Sequence, residues 1–137
     1  MSLKLTSLLF ILTLFSCSNN SSYCKDFKNG TFHVKPENES DFFYTLERTD
    51  KTQIETSIYG GDKVYYIIEW IGECSYIQKF DNTKMKLTKE MKMVNSDGGM
   101  VVELLEVKND STISFQSYVK VFKEMSLTHG TFTKVKK

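Results

Sequence analysis

Three cysteines, Cys17, Cys24 and Cys74, are the residues of this chain best suited to covalent chemistry. Cys17 ends an apolar run, whereas Cys24 and Cys74 lie 50 residues apart in polar surroundings. In an oxidising compartment two such thiols form a structural disulfide, and closing a loop of that length stabilises by about 4 kcal/mol in the chain-entropy model. A redox pair would more often show Cys-x-x-Cys spacing. A metal site is poorer still, because His33 and His129 stand in strand-like contexts without ligand spacing. The expectation is a Cys24–Cys74 disulfide, no metal site and no cofactor.

The remaining polar candidates point to binding rather than catalysis. No Gly-x-Ser-x-Gly, phosphate-cradling glycine loop or His-Glu-x-x-His occurs, so no enzyme is expected. Asp41, Glu47, Asp50 and Glu55 are close enough in sequence to suggest paired carboxylates, but nothing in their spacing makes two of them converge. A solvated outer face is the simpler expectation. Met91-Lys92-Met93, with Met85, Met100 and Met125, offers soft thioethers of the kind that select Cu(I), although methionines also fill irregular cores. Arg48 is the only arginine and shares strand parity with Phe42, Tyr44 and Leu46. Facing inward at a barrel mouth it would hold an anionic ligand bidentately; at the strand end it would point to water. Tyr44, Tyr66 and Trp70 form with it a candidate ligand-binding set, since an aromatic face in a small barrel can line a cavity for an apolar ligand.

The N-terminus places these residues in a compartment. Lys4 is followed by an apolar run over residues 5–15, too short to span a bilayer but suited to the apolar region of a secretory signal. The run ends in Leu14-Phe15-Ser16-Cys17 and passes at once into Ser18-Asn19-Asn20-Ser21-Ser22. This resembles the lipobox of bacterial lipoproteins. The resemblance implies a signal peptide over 1–16, diacylation of Cys17 as the mature N-terminus, and stable anchoring by more than one acyl chain. Ser18 is not an acidic, retention-type residue, so an outer-membrane lipoprotein facing the periplasm is expected. Residues 17–24 then read as lipidated Cys and polar tether, and 25–137 as the domain.

The elements that must position the candidates read as strands. From Thr31 the dominant period is two, with β-branched and aromatic enrichment. Strands are expected over 31–35, 42–48, 53–59, 63–71, 75–80, 100–108, 112–122 and 126–135. Gly60-Gly61-Asp62 and Asn95-Ser96-Asp97-Gly98-Gly99 mark turns. The strand over 63–71 is apolar on both faces, which suggests cover on both sides. Residues 81–93 read as a short helical turn and then a strand. The fold class is therefore all-β: one antiparallel meander of about eight strands, closing into a small lipocalin-like barrel or a sandwich.

Composition agrees with that reading. The 137 residues carry 18 Lys+Arg against 17 Asp+Glu, with 40% hydrophobic and 13% aromatic content. One packed domain is allowed, and a neutral chain lacks the basic footprint of a nucleic-acid binder. Without residues 1–16 the charges balance at 17 and 17, so electrostatic adhesion to lipid is not expected either. The segments Cys24-Lys25-Asp26-Phe27-Lys28-Asn29-Gly30-Thr31-Phe32, Glu69-Trp70-Ile71, Cys74-Ser75-Tyr76-Ile77 and Gly130-Thr131-Phe132-Thr133-Lys134 resemble those of short uncharacterised bacterial outer-membrane lipoproteins with a single β-rich domain. Some of these carry the label "DNA topoisomerase IV", which a neutral exported domain cannot justify. The resemblance implies no activity, but it places Cys24 and Cys74 in matching positions. The expected partners are the membrane through Cys17, an envelope protein or a small apolar ligand, and no nucleic acid. A non-catalytic interaction or assembly module leads, with a lipocalin-like carrier as the alternative.

Overall fold

Alternation of apolar and polar side chains closes the sheet on itself. The structure is a computed structural model and describes residues 21–137. Cys17, the expected signal segment 1–16 and the start of the expected tether lie outside the described residues. Eight strands follow one another around a closed antiparallel barrel: β1 (Gly30–Pro36), β2 (Tyr44–Arg48), β3 (Thr52–Ser57), β4 (Lys63–Trp70), β5 (Ser75–Phe80), β6 (Met100–Asn109), β7 (Thr112–Val119) and β8 (Thr128–Lys134). β1 pairs with both β2 and β8, so no strand edge is left open. Every strand thus finds both neighbours within residues 21–137, so the barrel needs no strand from outside that span. Of the two architectures expected, the lipocalin-like barrel is the one adopted.

Period-two patterning sets which side chains enter. Phe32 and Val34 of β1, Leu46 of β2, Tyr66 and Ile68 of β4, Tyr76 of β5, Val102 and Leu104 of β6, and Phe132 of β8 all belong to one buried cluster. Gly130 of β8 permits a close approach in the wall. A Cβ there would stand 2.6 Å from the Lys35 carbonyl oxygen and 3.0 Å from the Phe115 ring. The Gly60-Gly61 turn works differently: Gly61 has φ +69°, a conformation that costs glycine nothing, and its N–H donates to the Ser57 carbonyl.

One barrel end is plugged. A 3₁₀ helix (Ser21–Phe27) packs Cys24 and Phe27 into the core, with Cys24 fully buried. The Cys24–Cys74 disulfide, with Cα atoms 5.4 Å apart, ties this plug to the loop between β4 and β5. The Tyr23 hydroxyl adds a 3.0 Å hydrogen bond to the Leu105 carbonyl. The boundary expected between tether and domain at 24/25 therefore falls inside a packed helix.

Three local expectations are corrected. β4 is covered on one face only: Tyr66 and Ile68 are buried, but Ile67 and Ile71 are each 51% exposed, because a barrel has a single inside. Residues 81–93 hold no strand. Thr88 caps a helix, α1 (Lys89–Ser96), by accepting the Met91 N–H at 3.2 Å, and a side-chain cap of this kind favours helix over alternation. Strand β7 stops at Val119 rather than continuing to 122. A 3₁₀ turn (Lys120–Phe122) and a short α2 (Lys123–Ser126) follow, tied back by Ser126, whose hydroxyl accepts the Val119 N–H and donates to the Phe122 carbonyl.

Candidate functional site

The end of the barrel opposite the plug holds a cavity of about 270 Å³. Val34, Met100, Val102, Phe115 and Phe132 give it apolar walls, and Tyr44, Thr128 and His129 stand at its rim. Phe115 and Phe132 stack with centroids 4.1 Å apart and planes 9° apart, which keeps both rings flat against the wall. The volume lies just below the usual range for drug-sized ligands, so the space suits a small molecule with substantial apolar surface.

Below the apolar walls lies a buried polar floor. Gln53 of β3 is its hub: its Oε1 accepts from Arg48 Nε at 2.9 Å and from the Tyr76 hydroxyl at 3.0 Å. Its Nε2 donates to Gln78 Oε1 at 2.8 Å and to Glu55 Oε1 at 3.0 Å. The Tyr66 hydroxyl donates to Glu55 Oε2 at 3.3 Å. Burial pushes the Glu55 carboxyl above the ordinary carboxylate range, an effect only partly opposed by the Tyr66 and Gln53 hydrogen bonds and by the Arg48 charge. Burial likewise pushes the Tyr76 phenol up to about 12, against the pull of Arg48, and raises the Tyr66 phenol above its ordinary value.

The expected ligand set divides. Tyr44 and Tyr66 line the cavity, but Arg48 and Trp70 do not. Arg48 points inward, as its parity suggested, yet it sits toward the plug rather than at the mouth and is 3% exposed. Its Nη1 donates to the Phe27 carbonyl at 2.9 Å and its Nη2 to the Tyr76 hydroxyl at 2.8 Å. The guanidinium also lies over the rings of Phe32, Tyr76 and Phe132, at 5.3, 4.7 and 4.8 Å. With these contacts made, the bidentate anion grip expected of Arg48 has no room. Burial pulls its pKa down, but a guanidinium starts high enough to stay protonated. Trp70 closes the plugged end, its ring tilted against Tyr76 with centroids 4.8 Å apart and Lys28 Nζ 4.6 Å from its ring.

No family model, curated protein or solved structure matches the chain. The site therefore stands on its own geometry.

The other candidates scatter. Of the four carboxylates, Glu55 alone enters the barrel, while Asp41, Glu47 and Asp50 are exposed. Met91 and Met93 sit two positions apart on α1, where side chains at that spacing do not share a face, so the pair forms no thioether site. Among the described residues no three His, Cys, Asp or Glu side chains converge on a metal position. His33 faces outward and stacks on Phe42 at 3.9 Å, and His129 lies 3.6 Å from Glu37. The functional residues missed in the sequence are Gln53 and Gln78, while Glu55, named among the carboxylates, is set there on a solvated outer face; a hydrophobic pattern sends all three polar side chains outward.

Proposed function

We propose that this chain is a lipid-anchored envelope protein whose barrel binds a small ligand of substantial apolar surface. The single observation that carries the binding role is the cavity of about 270 Å³, walled by Phe115, Phe132, Val102 and Met100 above a hydrogen-bonded polar floor. A barrel built only for stability would fill that volume, since an apolar void loses packing contacts without replacement. Anchoring is supported by Leu14-Phe15-Ser16-Cys17, and the proposal accordingly takes in the bacterial envelope, an outer-membrane anchor and a periplasm-facing domain. The disulfide suits such an oxidising setting. No catalytic role is proposed.

Two measurements test this. Residues 21–137 titrated with the neutral fluorophore N-phenyl-1-naphthylamine are expected to show one saturable site, lost in Met100→Trp, which places a large ring in the cavity. In cells, labelled palmitate is expected on the protein and absent from Cys17→Ser. A probe that binds Met100→Trp as well as the parent would remove the carrier role. A second reading, an assembly module, rests on the outer face of β4, where Ile67 and Ile71 are half-exposed. Loss of a stoichiometric partner on Ile67→Lys, with probe binding retained, would favour it.

A further inference from the structure

The chemistry of the ligand's polar end is written in Glu55. Apart from His129 at the rim, Glu55 is the one titratable acid or base among the cavity-lining residues besides the tyrosines. Its two oxygens accept one hydrogen bond each, from Gln53 and Tyr66. A carboxylate has about four lone-pair sites, so roughly half of its accepting capacity is unused. The ion pairs among the described residues are Lys108 with Glu106 and His129 with Glu37, and neither involves Glu55.

The nearest fixed positive charge does not fill this role. Arg48 donates to Phe27, Gln53 and Tyr76, and the Gln53 side chain stands between it and Glu55. Around the carboxylate are aromatic rings, Tyr44 and Tyr66 beside it and Phe115 and Phe132 across the cavity. Such rings attract a cation to their faces and accept an apolar chain equally well. An anionic head would instead bring a second negative charge against Glu55 with no uncommitted cation to receive it.

We infer that the cavity selects a small ligand with a protonated amine head, the ammonium donating to Glu55 and a short apolar body lying against Phe115 and Phe132. The inference rests on the reading of the barrel as a ligand-binding protein and specifies its ligand class. An ammonium gives the carboxylate a charge-assisted hydrogen bond where an alcohol gives a neutral donor, a difference of roughly tenfold in affinity.

The test compares n-butylammonium, n-butanol and butyrate, each titrated directly into residues 21–137 by NMR near neutral pH. Butylammonium is expected to bind about tenfold more tightly than butanol, with butyrate weakest. Glu55→Gln is expected to bring butylammonium within about twofold of butanol, its folding checked by the amide dispersion of its NMR spectrum. Butanol or butyrate matching butylammonium on the unaltered protein overturns the inference, whether or not the variant folds. If the fluorophore binds but butylammonium binds no more tightly than butanol, the amine selection alone fails. If neither the fluorophore nor any butyl compound binds, the carrier reading fails and takes the inference with it.

Discussion

Arg48 donates a 2.8 Å hydrogen bond from Nη2 to the Tyr76 hydroxyl, and that hydroxyl in turn donates to Gln53 at 3.0 Å. The pair joins the plugged end of the barrel to the polar floor of the cavity. Its positive charge is held by a carbonyl, an amide oxygen, a phenol and three aromatic faces rather than by a direct carboxylate contact. Such an arrangement holds a buried charge only while every partner is present.

Removing the guanidinium should therefore cost more than its volume suggests. Arg48→Met leaves the Phe27 carbonyl and the Gln53 amide oxygen short of a buried donor. A loss of about 3 kcal/mol is expected in urea unfolding. Arg48→Lys should recover little of it, because an ammonium cannot reproduce the planar fork that serves three acceptors in different directions.

The staple carries a comparable share of stability. Cys24 and Cys74 are 50 residues apart, and reducing their bond restores loop freedom to the unfolded chain. Reduced protein, or the Cys24→Ser/Cys74→Ser double variant, should lose about 4 kcal/mol in chemical denaturation relative to the oxidised form. Because Cys24 sits in the plug, hydrogen exchange in residues 21–27 should rise before exchange in the strands does.

Gly130 gives a test of wall against cavity. A methyl group there meets the Lys35 carbonyl oxygen at 2.6 Å and the Phe115 ring at 3.0 Å, and of the two only the ring can move. Gly130→Ala should destabilise by about 1–3 kcal/mol. By displacing Phe115 from its stack on Phe132 it should also weaken fluorophore binding, whereas a neighbouring outward change such as Thr131→Ser should leave binding unchanged.

How far the sequence could be read depended on which residues carry the alternating signal. The strands with apolar inward faces, such as β1 with Phe32 and Val34 and β5 with Tyr76, were legible, as was the cysteine pair. β3 was legible as a strand but not in its facing. Thr52–Ser57 contains one apolar residue, Ile54, and that residue faces outward. The inward parity of Gln53 and Glu55 follows only from register with β4, where Gln53 lies opposite the buried Tyr66. The polar floor was hidden for that reason. For Arg48 the sequence leaves both an inward and a water-facing position open, and its depth is not visible, because the plug that buries it comes from Ser21–Phe27, whose first residues up to Cys24 read as polar tether. α1 was obscured by the alternation of Met91-Lys92-Met93, which its Thr88 cap overrides.

Glu55 should also imprint a pH dependence on stability. Tyr66 on β4 donates to it, Arg48 on β2 and Tyr76 on β5 lie within electrostatic reach of it, and Tyr44 on β2 and His129 on β8 line the rim of the same cavity. Burial raises its folded-state pKa above the ordinary carboxylate value of 4.5, and Arg48 only partly counters this. Between those two values the folded state holds a proton that the unfolded state has released, so the folded state binds more protons and stability falls as pH rises. The fall begins near the ordinary value and ends once pH passes the raised one. In Glu55→Gln the amide oxygen can still accept from Gln53, and no charge remains to be desolvated. Denaturation midpoints measured across that window are expected to decline in the parent and to stay flatter in Glu55→Gln, with the variant the more stable at the alkaline end. Parallel profiles for the two proteins would mean that the Glu55 carboxyl titrates as if in water. A bound amine should shrink the difference by favouring the ionised carboxylate, so repeating the series with saturating butylammonium should bring the end of the fall toward lower pH in the parent alone.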